Sequence, residues 1–421
     1  MLSSTESQQP DTNNPEKESP SSGSTQSKSV SRQTILRRAI LFAILVIVVL
    51  GLKNPVVNAV QSYRAARFKS ECKALIDAED WSGARSTARA WLKMTPGSND
   101  ALVFLAEAAV QLDDPEEAAD SLSKVSDDYH GALQALAVCA ELQFTDLNQP
   151  YQAEATWKRM LEIDPLADVA HQRLIYFYAM TLQRQAMRDQ IEQAMELGCE
   201  PPEAYPYLLL ANVLNFSDGL KKVSRWRQSN RDDEILEVAQ SIYAAKRTED
   251  SGMATFGIQT ITPGDKTLLD RCIQKYPGNL EALSLQIEFA MFGGDPKTVA
   301  KLLAQAGAEA ESDSRFWRYR GWLFQERGRD EESAKSLERA LEINPFEWQS
   351  RWLLADIYRK LGKSELASKH AKIAAQGKDL QTQLFERPNA RDLTPELMQQ
   401  IYDYLHSIGP SIPRDAIEKR I

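Results

Sequence analysis

Apolar positions in the C-terminal half of the chain return with a fixed long period. Gly294, Gly328 and Gly362 fall 34 residues apart, and Ala290, Phe324 and Tyr358 keep the same step. So do Leu303, Leu337 and Ala371, and Ala306, Ala340 and Ala374. Within each period the apolar spacing is helical: Trp317, Arg320/Gly321 and Phe324 follow i, i+3/i+4, i+7, and Ser333, Leu337 and Ala340 do likewise. Gly328 lies between the two helices, where a left-handed turn suits glycine, and Asn344–Pro345 stops the second. The unit is therefore a helix–turn–helix.

The same frame recurs upstream. Ala84, Ala88 and Pro96 mark one unit; Leu105, Ala106, Ala118, Leu122 and Val125 mark the next. Ala153, Trp157, Met160 and Pro165 mark a further second helix, continued by Leu174, Tyr178, Ile191 and Ala194. Asp114–Pro115 and Asp295–Pro296 take equivalent places, each a helix cap followed by proline at the first helical position. The pattern degrades in the middle, with helices expected at 203–214 and 232–246 and an irregular insertion at 247–264. Thr394–Pro395–Glu396 opens another helix, whose face Leu397, Ile401 and Leu405 is expected to shield the last repeat from water.

The stretch 316–345, FWRYRGWLFQERGRDEESAKSLERALEINP, resembles a tetratricopeptide repeat (TPR), with Trp317, Gly321, Phe324, Gly328, Leu337, Ala340 and Pro345 on its signature positions. The resemblance covers roughly 66–200 and 265–376. It implies an all-α, right-handed superhelical solenoid whose first helices line a concave groove for partner proteins or peptides.

The expected organisation is a disordered Ser/Pro/Gln-rich tail at 1–34, a transmembrane anchor at 35–60, N-terminal TPR units at 61–200, degenerate helical repeats at 201–264, C-terminal TPR units at 265–379 and capping helices at 380–421. The tail holds ten serines, three prolines and no aromatic residue, too little apolar surface to offset chain entropy. The anchor rests on Ala39–Leu52, an uninterrupted apolar run of fourteen, short of the roughly 20 residues a span needs unless its flanks extend it. A retained anchor, a cleaved signal peptide and a buried helix compete for this run, the anchor being favoured. Arg37–Arg38 before the run weakly favours a cytoplasmic N-terminus, with the TPR body on the far side of a bacterial cytoplasmic membrane.

The net charge is −9, and the six bases and four acids of residues 1–60 leave −11 on the rest. An acidic body repels phosphate backbones, and nucleic acid is not expected as a partner. Cys72, Cys139, Cys199 and Cys272 show no CxxC spacing and read as small buried apolar side chains. His130, His171, His370 and His406 lack zinc spacing, and His171 reads as packed structure. No phosphate loop, dinucleotide fingerprint or nucleophile elbow occurs. No cofactor, metal or catalytic residue is expected.

The groove candidates are Arg315, Arg318, Trp322, Gln325, Trp352, Arg359 and Lys360, a basic, aromatic set on an acidic body. It suits an extended acidic peptide or a chain terminus. On this reading, replacing Arg318 and Trp322 together weakens partner binding without lowering thermal stability. The functional expectation is a membrane-anchored, non-enzymatic scaffold. Its alternatives are an assembly or regulatory subunit of a cell-envelope complex, or an enzyme with its site in the degenerate middle.

Overall fold

A computed structural model describes residues 60–246, 263–387, 391–409 and 412–419. The chain divides into two compact units, Met1–Arg67 and Phe68–Ile421. Of the first, only residues 60–67 are described, and they are helical.

In the second unit every described element is helical. Residues 68–77 form α1, followed by α2 (Trp81–Met94), α3 (Asn99–Gln111), α4 (Pro115–Ser123), α5 (Ala132–Thr145), α6 (Pro150–Ile163), α7 (Asp168–Met180) and α8 (Arg184–Leu197). The middle holds α9 (Ala204–Leu209), a 3-10 turn at Ala211–Val213, α10 (Gly219–Ser229), α11 (Glu234–Ala245) and α12 (Pro263–Lys275). The C-terminal half holds α13 (Leu280–Phe292), α14 (Pro296–Leu303), α15 (Ser314–Glu326), α16 (Asp330–Ile343), α17 (Trp348–Lys360), α18 (Ser364–Phe385), α19 (Pro395–Ile408) and α20 (Ile412–Glu418).

The caps act as the sequence implies. Asp114 accepts from the Glu117 amide, Asp295 from those of Lys297 and Thr298, and Thr394 from that of Leu397, each satisfying an orphan donor of a first turn. Successive helices pack as antiparallel pairs, α15 on α16 and α17 on α18 among the most extensive. Gly321 is what lets α15 approach α16: a Cβ there would lie 2.6 Å from Leu337 Cγ.

Whereas the α10–α11 turn carries none, the turn inside the TPR-like pairs carries one residue at positive φ. Gly294, Gly328 and Gly362 supply it at 64°, 67° and 72°. The N-terminal pairs place Glu79, Asp113, Asn148 and Leu182 there instead, at 57°, 58°, 52° and 59°. The repeat therefore continues upstream in the same turn geometry even though its glycine column does not.

The irregular middle is more helical than the sequence suggests, since α10 was not expected. Of the insertion expected at 247–264, residues 247–262 lie outside the described residues and 263–264 open α12. The C-terminal helices also do more than cover the last repeat. α19 packs on α18, α20 packs on both α19 and α8, and Ile401, Tyr404, Leu405 and Ile417 join one core with Met187, Ile191 and Trp226. Within this unit the end of the chain thus returns to its middle.

The anchored reading is corrected. Among the described residues no helix is long and apolar enough to cross a membrane. The expected tail at 1–34, and the anchor at 35–60 as far as residue 59, lie outside the described residues. Residue 60 opens a helical stretch that already carries Arg64, Arg67 and Lys69, which breaks any apolar continuation of a run that is itself too short. The bilayer as a partner and the single-pass topology with a cytoplasmic N-terminus fall with the anchor. What stands is an all-α, TPR-like solenoid.

Candidate functional site

The 34-residue register aligns the inner faces of three successive first helices. On α13 it places Glu281, Ser284, Glu288 and Met291; on α15, Arg315, Arg318, Trp322 and Gln325; on α17, Gln349, Trp352, Asp356 and Arg359.

The first two rows are locked together by charge. Arg315, 2% exposed, donates to Glu281 at 2.5 Å and to Asp313 at 2.6 Å. Glu281 also receives Arg184 from α8 through both carboxylate oxygens at 3.0 Å. Arg318 donates to Glu347 at 2.7 Å and to Glu288 at 3.2 Å, and its guanidinium lies 4.8 Å from the centre of the Tyr319 ring. The Tyr319 hydroxyl reaches Glu288 at 3.0 Å and the Ser284 hydroxyl at 2.6 Å, while Ser350 donates to Glu347 at 2.9 Å.

Burial alone would raise the Glu281 carboxyl and lower the guanidinium of Arg315. The opposite charges outweigh it: Arg184 and Arg315 hold Glu281 below the usual carboxylate range, and Asp313 and Glu281 hold Arg315 well above its ordinary value. Lys246, at the end of α11, is pushed down to about 8 by burial and then by Arg184, with Glu288 and Glu281 opposing. Three arginines and Lys246 thus face four carboxylates (Glu281, Glu288, Asp313 and Glu347). Such a set fixes geometry and offers no net charge to a ligand.

The candidate residues divide accordingly. Arg315 and Arg318 are corrected: they are buried ion-pair partners, not groove cations. Trp322 is half-buried and packs against both the α13–α15 core and the α16–α18 core. Gln325 donates to Asp356 at 3.2 Å. Trp352 stands 61% exposed on a helix whose neighbours Arg351, Leu353 and Leu354 are buried. Arg359 and Lys360 are exposed and share Asp356, at 2.8 and 3.5 Å, so this end of the face keeps one positive charge in excess. The variant pair expected to spare stability, Arg318 with Trp322, would instead remove a buried ion-pair partner and a half-buried packing group. Glu281, Glu288, Asp313 and Glu347 went unrecognised in the sequence. The signal was there, because Glu281 and Arg315 share one column of the repeat.

Other candidate chemistry is structural. His171 is fully buried, its Nε2 2.9 Å from the Pro165 carbonyl and its Nδ1 2.7 Å from the Gln190 amide. All four cysteines are free thiols; Cys72, Cys139 and Cys272 are buried, and Cys199 is half-buried. Burial pushes the Cys72 and Cys139 thiols up to about 11, away from nucleophilic use. A cleft of about 390 Å³ lies between the α6–α7 and α8–α9 connections, lined by Leu166, Asp168, Gln172, Cys199, Glu200, Pro201 and Pro202. Among the described residues no three His, Cys, Asp or Glu side chains gather as a metal site.

Comparison with known proteins agrees with the repeat. A tetratricopeptide-repeat family model matches residues 71–129 and 320–379. No curated protein matches the chain. Among solved structures, a tetratricopeptide repeat protein from Parabacteroides merdae is 12% identical, covering 69% of this chain and 98% of its own at a TM-score of 0.30. The APC/C hetero-tetramer Cut9–Hcn1 is 12% identical, covering 81% and 78% at 0.31. The human IFIT1 dimer with m7Gppp-AAAA is 11% identical, covering 83% and 78% at 0.30. Scores at this level support no argument about what the chain binds. The matched segments take in α2–α4 and α16–α17 whole, and with the pairing of the helices between them they make this chain a TPR-like repeat solenoid.

Proposed function

We propose that the protein is a non-enzymatic interaction module, an assembly or regulatory subunit that holds a partner segment against the inner face of α15 and α17. The observation that carries this is Trp352. A large indole left 61% exposed on a packed helix costs favourable burial unless a partner covers it. Arg359 and Lys360, two helical turns past Trp352, add the excess positive charge and select an acidic neighbour for the anchored side chain. The neutralised arginines behind them keep the face rigid, which lowers the ordering cost of binding.

The test is an array of immobilised extended peptides in acidic, neutral and basic versions of the same apolar anchors. Acidic peptides should bind best. Trp352→Ala should weaken them roughly tenfold or more, as truncating an anchor side chain does, while leaving the unfolding midpoint unchanged. Equal binding of basic peptides, or unchanged binding by Trp352→Ala, overturns the assignment.

A further inference from the structure

We propose that α20 is a latch that closes the C-terminal repeats onto α8 and so fixes the spacing between the middle of the solenoid and the α13–α17 run. Four observations converge on it. First, α20 has seven residues, Ile412–Glu418. A helix that short does not hold itself together in water, so its order comes from docking. Second, its docking side is short: besides the buried Pro413, Ala416 is 5% and Ile417 0% exposed, and the last two enter the core that contains Met187, Ile191 and Met195 of α8. α19, by contrast, is held by Leu397, Ile401, Tyr404 and Leu405, all buried, and by the Tyr404 hydroxyl donating to the Phe346 carbonyl at 3.1 Å. The two helices therefore differ in how firmly they are seated.

Third, Gly409 ends α19 at φ 114° and ψ 177°, a backbone conformation open in practice to glycine alone. The chain can change direction there without moving α19. Fourth, α8 is the helix through which the middle meets the C-terminal repeats. Arg184 bonds Glu281 at the start of α13, which in turn bonds Arg315 of α15, and Arg188 donates to the Ile343 carbonyl at the end of α16 at 2.8 Å. α20 adds a further apolar tie between the same two regions, at a separation of more than 200 residues along the chain.

Undocked, α20 loses its helix and uncovers the apolar side of α8, leaving the two regions with the polar contacts and the remainder of their shared core. Docked, it holds them at one spacing. The element is two-state because the short helix has no stable form away from α8. Its position does not depend on what the face around Trp352 binds.

Hydrogen exchange of the full chain, followed helix by helix, tests the latch with Ile417→Asp and the conservative Ile417→Val. The aspartate should speed exchange of 412–419 and of α8 by roughly tenfold or more, as expected for a local opening, with α2–α4 unchanged; the valine should restore protection. Unchanged exchange in α8 overturns the proposal. So does a loss of protection spread evenly through α2–α19, which would make Ile417 an ordinary core residue.

Discussion

Replacing Arg318 by methionine isolates the contribution of the buried charge set. The Arg318 side chain is 9% and that of Glu347 0% exposed, with 2.7 Å between their bonded atoms. At an effective dielectric near 20, two unit charges about 4 Å apart attract by about 4 kcal/mol. Removing two ions from water costs several kcal/mol each, so the intact pair contributes little net stability. Removing one partner is different. Arg318→Met leaves the Glu347 carboxylate enclosed with only the Ser350 hydroxyl beside it, and deprives Glu288 of its guanidinium. The expected loss is about 3–5 kcal/mol, the range for breaking a buried pair on one side. Replacing both, Arg318→Met with Glu347→Met, removes the stranded charge and should recover more than half of that loss.

Urea unfolding read by tryptophan fluorescence gives both numbers, because Trp317 and Trp322 sit on the same helix as Arg318. Repeat solenoids do not unfold as a single unit, so the comparison belongs to the transition these indoles report. A double variant as unstable as the single, or a single variant within about 1 kcal/mol of the parent, would show that Arg318 is solvated and open to ligands after all.

Three further outcomes follow from local geometry. Gly321→Ala drives a Cβ to 2.6 Å from Leu337 Cγ and should destabilise by about 1–3 kcal/mol, lowering the thermal midpoint; the same register tolerates Ala355 because Ala371 replaces the leucine there. Glu79→Gly relieves a non-glycine residue at φ 57° and should stabilise by about 0.5–1 kcal/mol in chemical denaturation, once the greater chain entropy of glycine is set against the relief. His370 is lowered to about 4 by burial, then by Arg351 and Lys369. Its unfolded value of 6.5 is higher, so the unfolded chain binds the proton first as pH falls. The stabilisation from its neutral form is complete above about 6.5 and lost toward 4, at most about 3 kcal/mol; a His370→Gln variant should flatten the stability–pH curve across that window.

The repeat was legible because it is written locally. Each helix pair needs its small residue, its bulky neighbour, its cap and its stop at fixed offsets, and those offsets recur every 34 residues whatever the rest of the chain does. Trp317, Gly321, Leu337 and the Asp–Pro starts therefore sit where the pattern puts them. The upstream turns were harder to read: Glu79, Asp113, Asn148 and Leu182 adopt the left-handed conformation without glycine, because packing on both sides of the turn imposes it. The apolar run at 39–52 was over-read, since hydropathy alone does not make a span.

The candidate face depends on tertiary contacts for a related reason. Sequence puts Arg315, Arg318, Trp322 and Trp352 on one side of successive first helices. Whether a side chain on that side is open depends on what meets it from elsewhere. Arg315 is closed by Glu281, 34 positions back, Arg318 by Glu347, 29 positions ahead, and Arg184 arrives from 97 positions away. Among the described residues Trp352 finds no such neighbour, and it stands 61% exposed. Charge and aromatic content are properties of the residue, fixed by the sequence. Desolvation and pairing are properties of the assembled helices, and only the tertiary structure decides which arginine is a strut and which indole is left for a partner.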